Sequence, residues 1–342
     1  MIKEIKKVTR VLVTGSCGFV GYHLCNRLLK KGLQVIGIDS LSDYYSVELK
    51  ESRLNILKKY ENFEFFLADI ENDSELNAIF DKKIDIVVHL AAQAGVRYSI
   101  EEPEKYLSTN IVGSFNLLKR SVDNEVEHFM FSSTSSAYGA NTEMPFKELD
   151  NINTPLSFYA ATKGAFELML HSFSNIYDLP VTVFRFFTVY GPYGRPDMAM
   201  FKFSELINSN LPIDVYNGGD MWRDFTYIGD LVKSIDHLMH INPKSIQLTG
   251  TEFSKYKSAV APYHVVNIGN SKPAKLANMI NILEEKLNKK AVKNYLPLQL
   301  GDVVQTYADT KYLNYLTGYV PDTDLNEGIS KFVNWYKLYK NI

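Results

Sequence analysis

Short apolar runs alternate with longer amphipathic stretches through the first half of the chain. Residues 8–13, 34–38, 63–67, 84–90, 128–131 and 181–187 are rich in β-branched or aromatic side chains and are bounded by turn residues, and each predicts a strand. Between them apolar residues recur at helical spacing. Leu107, Ile111, Phe115, Leu118 and Val122 fall four, four, three and four apart, which predicts a helix over about 103–124 with one apolar face. Strands alternating with helices predict a parallel sheet covered on both faces. Beyond about Phe187 the rhythm changes. Pro192, Pro196, Gly218, Gly219 and Pro262 cut the chain into shorter pieces, and 247–261 has no clear period and reads as a loop. The expectation is an α/β chain: a doubly wound parallel sheet over 1–187, a smaller α+β substrate domain over 188–342, and one return to the first near 226–245.

The bulk numbers narrow this little. The 342 residues suit two domains, and a net charge of −2 leaves no basic surface of the size nucleic acid requires. Cys17 and Cys25 form neither a disulfide framework nor a metal signature and read as small reduced core or loop thiols. No stretch approaches the ~20 apolar residues of a membrane span. The basic start of the chain runs into a strand rather than the apolar core of a signal peptide. A cytoplasmic protein with no metal is expected.

The first candidate chemistry lies directly after the first strand, at Thr14-Gly15-Ser16-Cys17-Gly18-Phe19-Val20-Gly21. Gly15 suits a tight turn, Gly18 lets backbone approach a pyrophosphate, and Gly21 lets the following helix pack close to the sheet. The helix N-terminus then offers N–H groups and a positive dipole to phosphate. Strand, glycine loop and helix in that order are the context of a Rossmann-type dinucleotide site. Asp39 ends the second strand, where a carboxylate accepts from the adenosine ribose hydroxyls and repels a 2′-phosphate, favouring NAD over NADP. Asp69, after the third strand, is placed for an adenine contact.

A second constellation sits at 132–163. Tyr159 and Lys163 lie four apart on a helix, hence on one face. A tyrosine with a pKa near 10 is a poor base at neutral pH, and a neighbouring ammonium and an oxidised nicotinamide would lower it. The pair alone proves little, because such spacing is common. Ser132-Ser133-Thr134-Ser135-Ser136 ends the fifth strand, and open α/β sheets bind ligands at the carboxyl ends of their strands. Thr134 is the hydroxyl favoured to share the proton of a reacting oxygen.

These segments together resemble the extended short-chain dehydrogenases that act on nucleotide sugars: TGSCGFVG, HLAAQAGVR (89–97), SSTSSAYG and YAATK. FRFFTVYGPYGRPD (184–197) with MAMFKF, DVYN (214–217), RDFTYI (223–228), APYHVVNIGN (261–270) and GDVVQTYAD (301–309) narrow the resemblance to the UDP-glucuronate 4-epimerases, over nearly the whole chain. The resemblance implies a bound NAD regenerated each cycle. Tyr159, aided by Thr134, would take the 4-hydroxyl proton, C4 would be oxidised to a ketone, and hydride would return to the opposite face to give UDP-galacturonate. It places Gly15, Gly18, Phe19, Val20, Gly21, Asp39, Asp69, Ile70, Leu90, Ala91, Ala92, Gln93, Asn110, Ser132, Tyr159, Lys163, Phe186 and Val189 on the cofactor. It places Arg97, Ser135, Ser136, Tyr159, Thr188, Arg195, Phe203, Tyr216, Arg223 and Asp302 on the substrate. Among these, Arg223 meets the diphosphate, Thr188 and Arg195 the sugar carboxylate, Asp302 the uridine ribose, and Tyr216 and Phe203 the uracil. A guanidinium forks onto either anion.

The resemblance also implies a homodimer built through a four-helix bundle from helices near 103–124 and 157–177. Ser136 stands where related dehydratases and UDP-glucuronate decarboxylases carry an acidic residue, which argues against both chemistries. Met221-Trp222 before Arg223 has no account. The competing readings are a UDP-glucose or UDP-N-acetylhexosamine 4-epimerase, which would not need the carboxylate site, and a non-catalytic NAD-binding protein, which would not need Tyr159, Lys163 and Thr134 together.

Overall fold

The computed structural model describes residues 10–298 and 303–342. Seven parallel strands form its central sheet: β1 (Arg10–Thr14), β2 (Gln34–Asp39), β3 (Phe63–Leu67), β4 (Ile86–His89), β5 (His128–Thr134), β6 (Val181–Phe186) and β7 (Tyr263–Ile268), in the order β7-β6-β5-β4-β1-β2-β3. The expected Rossmann-type sheet is present. All six expected strands recur within a few residues; residues 8 and 9 of the first lie outside the described residues.

Alternate side chains on these strands feed two separate apolar layers, as a period of two requires. Val11, Val13, Val88 and Phe184 face one side, against the helix α1 (Phe19–Lys30) and the helix Ile228–Met239. Leu12, Val87, Phe131 and Val183 face the other, against Leu117, Leu118, Phe166 and Leu170. A third apolar layer lies outside the sheet and joins the helices Ala199–Asn208, Leu276–Leu287 and Leu325–Lys340 to a parallel pair of short strands, Ile213–Tyr216 and Lys293–Leu296.

Two sequence expectations change. The segment 263–268 is a strand of the main sheet, although the aperiodic stretch before it hides the signal. The helix expected over 103–124 is present, but its apolar stripe does not form one buried face. Ser108–Gly113 adopts a wide π-type turn between the α-helical pieces Pro103–Leu107 and Ser114–Asp123. The extra residue rotates the face. Leu118 is fully buried while Leu107 is 51% exposed and Phe115 37%, and Tyr106, Asn110, Leu117 and Ser121 point inward instead.

A polar chain crosses the sheet inside the apolar layers. Thr182 Oγ1 lies 2.8 Å from Nε2 of both His128 and His264, and Nδ1 of His264 meets the Tyr312 hydroxyl at 3.0 Å. Burial disfavours the charged imidazoles, lowering His128 to about 4 and His264 to about 3. Unfolded imidazoles take protons near pH 6.5, so below that pH the unfolded chain binds more protons than the native one, and these two groups cost stability as pH falls from about 6.5 toward about 4. In urea unfolding, His264→Gln flattens the dependence over that window by about 1.4 kcal/mol per pH unit. Parallel pH dependences for the two proteins would contradict the assignment.

Candidate active site

The turn between β1 and α1 is built on close backbone contacts. Gly15 has φ +68°, and a Cβ there would lie 2.9 Å from the Ala91 nitrogen. A Cβ on Gly21 would lie 2.0 Å from the Gly15 carbonyl oxygen, so only glycine permits this approach. Thr14 fixes the neighbouring strand end by accepting from the Leu90 and Ala91 amides, each at 3.0 Å. Gly18 caps α1 without a side chain, leaving the first-turn N–H groups facing the cleft residues Phe19, Val20 and Gly21 help to line. Asp39 accepts from the Cys17 and Leu41 amides at 2.9 Å, which fixes its carboxylate at the rim. A dinucleotide fits this cradle: the space a Cβ would fill is kept for backbone and ligand, with N–H donors for phosphate and a carboxylate for ribose.

The cleft above the strand ends has a volume of about 610 Å³. Its walls bring together most of the residues expected there: Gly15, Gly18 to Gly21, Asp39, Asp69, Ile70, Leu90 to Gln93, Ser132, Thr134 to Ser136, Tyr159, Lys163, Phe186, Thr188, Val189 and Arg195. Arg223 lies apart, in a second cavity of about 110 Å³ that shares Ser135, Ser136 and Thr188 with the first. Its neighbour Asp224 is fully buried and accepts from the Asn270, Ser271 and Ala308 amides, which anchors that strand end.

Besides Arg223, five expected residues fall outside the cleft lining or outside the described residues. Asn110 is buried in the π-type turn and does not face the cleft. It accepts from the Gln93 amide at 2.8 Å and donates to the Gln93 carbonyl and to Thr162, so it shapes the cleft wall from behind. Phe203 is 6% exposed inside the third apolar layer and is removed from the uracil wall. Arg97 and Tyr216 stack on each other at 4.8 Å outside the cleft lining. Asp302 lies outside the described residues.

Tyr159 and Lys163 rise from the helix Phe158–Tyr177, capped by the Ser157 hydroxyl on the Ala160 amide. Burial pushes the Tyr159 phenol up, opposed by the Arg195 guanidinium and a hydrogen bond with Thr134. Burial pulls the Lys163 ammonium down to about 7, opposed by Glu167 one turn on. Sequence reasoning gave the lowering of Tyr159 to Lys163; in the protein alone Arg195 and Thr134 oppose burial instead. Glu167 was not anticipated. It is 2% exposed, pairs with Arg185 at 2.7 Å and accepts from Ser133. Tyr44, Tyr45 and Lys50 also line the cleft. No sequence period marks them: Tyr44 and Tyr45 precede the helix α2 (Val47–Leu57), on which Lys50 and Arg53 are buried together with Leu49 and Leu54.

A glycine cradle and a tyrosine–lysine–hydroxyl group over one parallel sheet define a dinucleotide-dependent enzyme of the short-chain dehydrogenase type. The chain belongs to the NAD dependent epimerase/dehydratase family, whose family model matches residues 11–248. It is 49% identical to protein CapI of Staphylococcus aureus, over 96% of this chain and 99% of that one. It is 44% identical to a probable UDP-glucuronate 4-epimerase of Rhizobium meliloti, over 96% of each. Among solved structures it is similar to the UDP-glucuronic acid 4-epimerase of Bacillus cereus in complex with UDP-glucuronic acid and NAD, at 32% identity and a TM-score of 0.84, over 97% of this chain and all of that one.

Glu167 is the group that opposes burial at Lys163. In Glu167→Gln the midpoint of Lys163 deprotonation, read by NMR of isotope-labelled lysine, moves below its value of about 7 in the unaltered protein. An unchanged midpoint would show that Glu167 does not hold that proton.

Proposed function

We propose that this chain interconverts UDP-glucuronate and UDP-galacturonate by NAD-dependent inversion at C4. The observation that carries the reading is Arg195. It lines the cleft with Thr188, and its charge acts on Tyr159, so one pocket offers both a proton acceptor and an anion-binding guanidinium. A neutral hexose needs the first and not the second.

Tyr159 takes the proton of the sugar 4-hydroxyl and later gives it back. Thr134 donates to the phenolate oxygen while it is charged, and Lys163 supplies positive charge on the same helix face. Bound NAD supplies the hydride acceptor and then the hydride donor, from a cradle formed by Gly15, Gly18, Gly21 and Asp39. The oxidised sugar is a β-keto acid, which loses CO₂ when its carboxylate stands perpendicular to the ketone plane. Thr188 and Arg195 hold the carboxylate away from that geometry. Asp197 already accepts from Nε and Nη2 of Arg195, at 3.0 and 2.5 Å, so the remaining guanidinium hydrogens meet the substrate. Arg223 faces the diphosphate from the smaller cavity, and Asp302 serves the uridine.

In this reading residues 1–187 with 226–245 hold the cofactor, and 188–342 mainly hold the nucleotide sugar. The chain works in the cytoplasm, where the free, buried thiols of Cys17 and Cys25 suit the redox conditions. No helix among the described residues is long and apolar enough to cross a membrane. Two copies pair through the helices 103–123 and 158–177. Those helices meet through Phe115 and Phe173 and leave Val112, Phe115, Leu168 and Ile176 exposed, an apolar patch suited to a second copy.

Four measurements test these proposals. Incubation with UDP-glucuronate, UDP-glucose or UDP-N-acetylglucosamine, followed by NMR of the products, should show inversion of the acidic sugar. Epimerisation of a neutral sugar alone would overturn the substrate assignment. Tyr159→Phe should lower turnover about 10³-fold, and Arg195→Ala should weaken substrate binding and release UDP-pentose. Leu168→Asp should convert a dimer to a monomer in sedimentation experiments; a wild-type monomer would remove the bundle.

A further inference from the structure

The loop that carries Arg195 packs on Trp335 but takes several of its hydrogen bonds from the cofactor side. Arg53 projects from α2, and its side chain is fully buried. Nη1 donates to the Cys17 carbonyl of the glycine loop at 2.7 Å and to the Tyr45 hydroxyl at 2.8 Å, and Nη2 donates to the Tyr193 carbonyl at 2.7 Å. One guanidinium thus spans the turn that receives phosphate, the rim beyond Asp39 and the loop two residues before Arg195. Two further ties run the same way. His23 of α1 meets the Pro192 carbonyl at 2.8 Å, and Tyr44 donates to Asp197, the ion-pair partner of Arg195.

The loop needs this support. Tyr193 is a left-handed non-glycine residue, with φ +58°, two residues after Gly191 at φ +143°. Such a backbone is strained and persists only where the surroundings over-determine it. Arg53 is also an expensive way to fill space. These three partners are uncharged oxygens, and a buried cation held on neutral dipoles gives up solvation that an apolar side chain of the same size would not. Its use is geometric: a planar fork sets the distance between two loops in a way that packing cannot.

We propose that Arg53 is a positioning residue that couples the cofactor loop to the Arg195 loop, so that the grip on the sugar carboxylate is set from the cofactor side. The inference rests on the reading of Arg195 as the carboxylate partner. It gives α2 a part in substrate choice although that helix lies beside the cofactor.

The test uses the NAD-saturated protein with Arg53→Lys, which keeps the charge but cannot span both carbonyls, and with Arg53→Met. The KM for UDP-glucuronate should rise about tenfold, the cost of one buried charged hydrogen bond. Inhibition by UDP, which has no carboxylate, should stay within about twofold, and UDP-pentose should appear among the products. In an Arg195→Ala background the Arg53 change should add less than about twofold to KM, because the two act through one contact. Unchanged KM and products in a variant with a lowered melting temperature would show that Arg53 only stabilises the fold, and would overturn the inference. Loss of UDP inhibition in step with KM would overturn it too. If Arg53→Met does not fold, the Lys variant carries the same comparison. Absence of UDP-glucuronate turnover by the wild-type chain would remove the functional reading and this inference together, whereas normal wild-type turnover with unaffected variants would remove the inference alone.

Discussion

The site depends on the removal of water from charged groups. Tyr159, Lys163, Arg185 and Arg195 lie where burial opposes their ionised forms, and each is kept workable by a specific neighbour. Arg185 and Glu167 satisfy each other. Lys163, with only the more distant Glu167 to oppose burial, falls to about 7, near the pH at which a proton is most easily shared. Tyr159 moves the other way: burial raises its phenol, against the opposing Arg195 guanidinium and the Thr134 hydrogen bond.

That dryness requires the walls to be rigid, and the walls come from different parts of the chain. Asn110 fixes the Gln93 backbone, Thr14 fixes Leu90 and Ala91, and Asp224 gathers three amides beneath Arg223. Each is a polar side chain spent on a neighbouring backbone rather than on a ligand. The same device, applied across the cleft by Arg53, joins the two kinds of loop.

The fold was largely legible because burial on both faces forces continuous apolar strands, and because the glycine loop has few other uses in that position. The proposed catalytic group could be named only through family motifs and not through spacing, since a tyrosine and a lysine four apart occur on many helices. What stayed hidden was the part decided by tertiary neighbours. Asn110 carries no mark that separates a ligand contact from a backbone clamp, and only the π-type turn turns it inward. Phe203 lay in a motif and proved to be core. Glu167 and Arg53 look like ordinary helix-surface charges, because their partners lie 18 and 140 residues away. The strand β7 was masked by the aperiodic stretch before it.

The interleaving of the two cores governs how the chain can be made and rearranged. After β6 the backbone leaves the sheet, returns as the helix Ile228–Met239, returns again as β7, and comes back a last time as the helix Lys311–Thr317, whose Tyr312 and Leu313 enter the sheet's apolar layer. A nascent chain ending near residue 187 would present β6 as a bare edge, open to pairing with another chain, until residues 263–268 emerge to cover it. For the same reason no single cut in the chain separates the central sheet and its helices from the third apolar layer, so the two cannot be exchanged as consecutive modules.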